Sequence, residues 1–142
     1  MTLRPDLLAR EWIGTPYRHR ASIKGVGVDC LGLVLGVWRE LGTAPDLDIP
    51  AYTPSWLVNC QDEKLWAEAV RLLMPTDRRL SPGDIALFRM RDGAAARHMG
   101  ILSGSSRSVK VIHAYSGRGV VESWLDTPLK RRIVARFSFP QE

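Results

Sequence analysis

The stretch Asp29-Cys30-Leu31-Gly32-Leu33-Val34-Leu35-Gly36-Val37-Trp38-Arg39-Glu40-Leu41-Gly42 carries the clearest local instruction in the chain. Asp29 is a good N-cap, because its carboxylate can accept from the unpaired amides of a first helical turn. Cys30, Val34, Val37, Trp38 and Leu41 then follow the spacing of one face of a 3.6-residue period, and Gly42 supplies the stop. The reading is a helix from the Asp29 cap to Gly42, with Cys30 opening its buried stripe.

Toward the N-terminus, residues 6 to 13 show a shorter helical pattern closed by Gly14 and a turn at Thr15-Pro16. A polar, glycine-punctuated loop then runs up to Gly27. Toward the C-terminus, the proline-rich residues 43 to 54 read as a surface loop. A third helix is expected at about residues 61 to 73, with Leu65, Ala69, Leu72 and Leu73 inward and Pro75 ending it. Beyond the turn signal Ser81-Pro82-Gly83-Asp84 come five apolar runs of strand length: 85 to 90, 99 to 102, 109 to 114, 120 to 124 and 133 to 139. Helices first and consecutive strands afterwards is the pattern of an α+β domain with an antiparallel sheet of about five strands. With 142 residues, 45% of them apolar, the whole chain, 1–142, is expected to form one domain.

Twenty Lys and Arg against fifteen Asp and Glu give a formal charge of +5, which favours contact with polyanions. The basic groups Arg18-His19-Arg20, Arg78-Arg79 and Lys130-Arg131-Arg132 lie beside no zinc-finger spacing, RNA-binding aromatic signature or long basic helix. They read as solvated charge, with no specific nucleic-acid binding. The first residues lack the basic stretch and apolar run of a secretory signal. No segment reaches the roughly eighteen apolar residues of a membrane span, so synthesis in the cytoplasm without membrane insertion is expected.

Two cysteines are too few for a disulfide framework or a four-ligand zinc site. Cys60 reads as a half-buried structural thiol. Cys30, at a helix start, meets unpaired amides and the positive end of the macrodipole, which favour a thiolate and an oxyanion. The helix alone leaves two readings open, a nucleophile or a small buried apolar residue. A hairpin turning at Ser105-Ser106 would pair residues whose numbers sum to 211, setting His98 opposite His113 on one face. One imidazole could then act as general base for Cys30 while the other fixes its tautomer. Two histidines can also share a strand pair for structural reasons. A His2Cys zinc site is a minor alternative, no metal or cofactor being expected, and His19 reads as exposed.

These residues fall into five segments that resemble, in order, those of the NlpC/P60 cysteine peptidases, which hydrolyse the peptide stems of bacterial cell walls. Gly14-Thr15-Pro16-Tyr17 resembles the family's entry motif and Asp29-Cys30-Leu31-Gly32-Leu33-Val34 its nucleophile segment. Pro82 to Phe88 resembles the strand before the base, His98-Met99-Gly100-Ile101-Leu102 the base strand, and Val111-Ile112-His113-Ala114 the strand of the third polar residue. The resemblance implies a papain-like α+β fold with Cys30 as nucleophile, His98 as base and His113 as orienting residue. Tyr17 and Asp29 are then expected in the oxyanion or substrate cleft, although Tyr17 could equally be a turn aromatic packed on the core.

Leu31 departs from the family, whose members commonly carry Ser there to help recognise the amino end of a free stem peptide. The expected partners are peptidoglycan stem peptides. The chain is also similar to the branch found with tail genes of phages and gene transfer agents, which implies tail hub or tail-tip partners and incorporation in a phage-like tail particle. A tail-assembly component with weak or lost catalysis, or a papain-like amidase or acyltransferase on another substrate, are the alternatives.

Overall fold

The computed structural model describes residues 3–45 and 64–140. Helix α1 spans Pro5–Arg10, with Pro5 in its first turn, where a missing N–H costs nothing. Residues 11 to 14 continue as turn, so this helix is shorter than the expected 6 to 13. Helix α2 spans Cys30–Leu41, capped by Asp29, whose side chain accepts from the Gly32 amide, and stopped by Gly42 at φ 84. Both signals are local, and the helix keeps the expected bounds. Helix α3 spans Lys64–Leu72. The expected start at 61 and the loop reading for 46 to 54 lie outside the described residues, as does Cys60.

The sheet departs from the expected count. Strands β4 (Ile85–Phe88), β5 (His98–Gly104), β6 (Val109–Tyr115), β7 (Gly119–Trp124) and β8 (Ile133–Ser138) match the five apolar runs. A sixth member, β3 at Met74–Pro75, pairs with Ser138 and Phe137 and gives the antiparallel order β3-β8-β4-β5-β6-β7. A separate two-stranded ribbon joins β1 (Ser22–Ile23) to β2 (Gly27–Val28). The expectation of helix and loop alone before Pro82 therefore fails at three two-residue strands. Runs that short carry no measurable alternation.

Side chains alternate across the sheet. One face, with Ile85, Leu87, Met99, Ile101, Ile112 and Phe137, packs against Trp12, Leu33, Val37, Trp38 and Leu65 of the helical side. The opposite face carries a smaller core of Ala86, Phe88, Leu102, Val111 and Leu125. That core is closed partly by Leu129 of the short helix α4 (Thr127–Lys130), which Asp126 caps. Gly32 and Gly36 let α2 approach the N-terminal segment, since a methyl on Gly32 would run into the Ala21 carbonyl and one on Gly36 into the Trp12 ring.

Candidate active site

The β5–β6 register pairs Ile101 with Ile112, Leu102 with Val111, Ser103 with Lys110 and Gly104 with Val109. The numbers sum to 213 rather than 211, and Ser105 and Ser108 exchange backbone hydrogen bonds around a turn at Ser106-Arg107. The turn centre lies one residue beyond the expected Ser105-Ser106, which moves every partner by two. A shift of two keeps each side chain on its face. His98 and His113 thus become diagonal rather than directly opposed neighbours, and their rings still meet, with His98 Nε2 2.8 Å from His113 Nδ1.

The series continues beyond the pair. His113, fully buried, has its Nε2 3.1 Å from Ser123 Oγ. Tyr115 stacks on His98 at 5.1 Å between centroids and 11° between planes, and tilts against His113 at 4.3 Å. Phe88 adds a further ring contact to His98 at 5.6 Å. Neither Ser123 nor Tyr115 was singled out from sequence, yet both lie on the histidine face. Tyr115 is two residues beyond His113, and Ser123 is two beyond Val121, which pairs directly with His113.

One tautomer makes this series consistent. If His98 offers the lone pair of Nδ1, its Nε2–H donates to His113 Nδ1, and His113 Nε2–H donates to Ser123 Oγ. Burial, and then the neighbouring His113, hold the His98 pKa down to about 3, and burial holds His113 at about 4. Both rings are neutral near pH 7.

Cys30, only 7% exposed, directs its thiol at the carbonyl of Arg97, the residue preceding His98, at 3.6 Å. Its pKa is pushed up to about 12, chiefly by burial and then by the Asp29 carboxylate, against the opposing pull of the Met99, Leu31 and Cys30 amides. Burial thus opposes the thiolate that the helix start favours. The macrodipole and amides act in the foreseen direction, but loss of water outweighs them.

Asp29 is fully buried. Its Oδ1 accepts from Gly32 N and its Oδ2 from Arg20 N, both at 2.7 Å, and His19 Nδ1 lies 3.9 Å from Oδ2. These bonds make Asp29 a structural cap and leave it poorly available to a substrate. His19 is half-buried beside Asp29 rather than exposed. Tyr17 makes a parallel bridge to Val28. Its phenol is pushed up to about 12 by burial, with Cys30 and Asp29 adding to the rise, so it stays a donor near the thiol. Among the described residues no three His, Cys, Asp or Glu gather closely enough to hold a metal ion, and no helix is long and apolar enough to cross a membrane.

No family model matches the sequence, and no curated protein matches it. Among solved structures, the chain is similar to a Staphylococcus aureus protein described as similar to lipoprotein, of the NLP/P60 family. The TM-score is 0.60 at 15% identity, over 97% of this chain and 41% of the other. The chain therefore spans less than half the length of that protein, and what the two share is the fold, helices on an antiparallel sheet.

Proposed function

We propose that the chain is a cysteine peptidase of the NlpC/P60 kind that opens amide bonds in the stem peptides of peptidoglycan. The observation that carries this reading is the His98–His113 contact. It occupies Nε2 of His98 and leaves Nδ1 as the nitrogen able to take a proton, on the residue next to the carbonyl that Cys30 touches. The fold shared with an NLP/P60 protein supports the same reading.

In this mechanism His98 Nδ1 takes the Cys30 proton as sulfur attacks the scissile carbonyl. The imidazolium is steadied by its Nε2–H bond to neutral His113. The oxyanion accepts from amides at the start of α2 and from the Tyr17 phenol. Collapse breaks the C–N bond, His98 gives its proton to the leaving amine, and a thioester remains. Water attacks the thioester with His98 again taking a proton, which returns to the Cys30 sulfur as the acid product leaves. Delivery by a phage-like tail, held by hub or tip proteins, belongs to the same proposal and rests on the sequence resemblance.

A second reading also has an observation in its favour. Burial pushes the Cys30 thiol up and His98 down, which disfavours a resting ion pair, and a docking component with weak or lost catalysis needs none. Incubating the protein and its Cys30→Ala variant with purified peptidoglycan, followed by mass spectrometry of released fragments, separates the two. Muropeptides cut in the stem by the wild type alone support the peptidase. The absence of cleavage across several wall chemistries favours the docking component, and release of a non-peptide acyl or amide product indicates another papain-like hydrolase.

A further inference from the structure

The contacts of 2.8 Å from His98 Nε2 to His113 Nδ1 and 3.1 Å from His113 Nε2 to Ser123 Oγ admit two directions of donation. In the outward direction each imidazole donates from Nε2, Ser123 accepts, and His98 Nδ1 is bare. In the inward direction the Ser123 hydroxyl donates to His113, His113 donates from Nδ1 to His98, and the proton of His98 sits on its own Nδ1. Only the outward direction leaves a base for Cys30. Neither histidine selects between the two, since a neutral imidazole donates at one nitrogen and accepts at the other whichever way round it stands. The selection lies at the ends of the series.

At the outer end, Ser123 is half-buried and pairs with Val111, so it stands on the face of the smaller core. There it lines a groove of about 330 Å³ together with Tyr115, Leu129 and Arg132. A groove of that size admits water. A hydroxyl has one proton and two lone pairs, so Ser123 can accept from His113 while its own proton turns to water in the groove. At the inner end, His98 is enclosed by the rings of Phe88, His113 and Tyr115. Among the described residues, the hydrogen bond of this ring is the one at Nε2. The inward direction therefore strands an N–H at His98 Nδ1, whereas the outward direction leaves only a spare lone pair. The stranded N–H is the costlier, as the rarity of orphaned N–H groups beside unused lone pairs shows.

We propose that Ser123 is a positioning residue that turns the His98–His113 pair outward, accepting from His113 with its groove-facing hydroxyl so that His98 Nδ1 is bare. The role rests on the reading of His98 as general base. Without this hydroxyl both directions strand one N–H, at His113 Nε2 or at His98 Nδ1, and the preference for the outward form is lost. A larger share of the molecules then holds a proton on His98 Nδ1, where the ring takes none from Cys30. Ser123 acts through two imidazoles and touches neither the thiol nor the scissile bond.

The test is nitrogen NMR of the imidazole rings in the full chain at pH 7, where both rings are neutral. It tells a protonated ring nitrogen from a bare one, and His98→Gln and His113→Gln variants assign the signals. The expected wild-type result is Nε2 protonated and Nδ1 bare on both rings. In Ser123→Ala the ratio of this form to its opposite should fall roughly fivefold or more, the net effect of one hydrogen bond. Ser123→Thr keeps a hydroxyl and should restore the ratio. Ser103→Ala removes a hydroxyl that donates to Glu122 at 2.8 Å on the opposite face of the sheet, and should leave both rings unchanged. In the peptidoglycan assay kcat should fall in Ser123→Ala in step with the fraction of His98 whose Nδ1 is bare, with KM unchanged. A wild type that cleaves nothing removes the peptidase reading, while the ring spectra still decide the direction of the series. A proton on Nδ1 of either ring in the wild type, a wild-type ratio in Ser123→Ala, or a Ser123→Thr variant that matches Ser123→Ala would each overturn the proposal.

Discussion

Cys30 shows how far a tertiary environment can move a group whose local position points the other way. Its helix start supplies amides that favour the thiolate, yet burial and the Asp29 carboxylate push the thiol up to about 12. Iodoacetamide should therefore alkylate Cys30 slowly at pH 7, with a rate that climbs through the alkaline range without levelling off near neutrality. Peptide mass analysis of timed samples reads this directly, and a plateau below pH 8 would contradict it. The histidines give the opposite sign. Their folded pKa values, about 3 for His98 and about 4 for His113, lie below the ordinary 6.5, so the unfolded chain binds the extra protons. Their contribution to stability is whole above about pH 6.5 and is lost as pH falls toward 4 and then 3, with a limiting slope of about 1.4 kcal/mol per pH unit for each ring. Urea midpoints measured from pH 7 down to 4 should fall, and the double variant His98→Gln, His113→Gln should flatten the fall.

At the scale of an element, α2 sets helix propensity against packing. Replacing Gly by Ala in an exposed helix would gain about 1 kcal/mol, but a methyl on Gly32 meets the Ala21 carbonyl, a backbone atom that cannot rotate away. Overpacking of this kind costs about 1–3 kcal/mol, so Gly32→Ala should lower the thermal midpoint despite its better propensity, as circular dichroism will show. The same helix was the most legible part of the chain, since Asp29, the apolar stripe and Gly42 act within a few residues of one another. The β5–β6 hairpin was legible in face but not in register. Alternation fixes the face, whereas the turn centre depends on which two of Ser105, Ser106 and Arg107 close the loop, a choice that turn-forming side chains leave degenerate. Strand β3 was illegible because Met74 and Pro75 pair with residues more than sixty positions away. Ser123 was missed for a related reason, as its contact with His113 appears only when the register of a second hairpin is known.

For the molecule as a whole, the sheet is sandwiched between two apolar cores of unequal size, one under α1, α2 and α3 and one under α4 and the Leu80 segment. Strands β4, β5 and β6 contribute to both, with Ile85 and Leu87 on one side and Ala86 and Phe88 on the other. Neither core can dissolve without freeing the backbone that the other needs, so unfolding should be a single transition. Leu33→Ala in the larger core and Phe88→Ala in the smaller each empty a fully buried position and should cost about 2–5 kcal/mol. Far-ultraviolet circular dichroism follows helices and sheet together, whereas tryptophan fluorescence is weighted toward Trp12 and Trp38 in the larger core. In urea the two signals should share one midpoint in the wild type and move together in both variants. Phe88→Ala is the sharper test, because it lies on the face away from those indoles and beside His98. A circular-dichroism midpoint that moved while the fluorescence midpoint stayed in place would mean that the layers unfold separately. The candidate site would then rest on the weaker core alone.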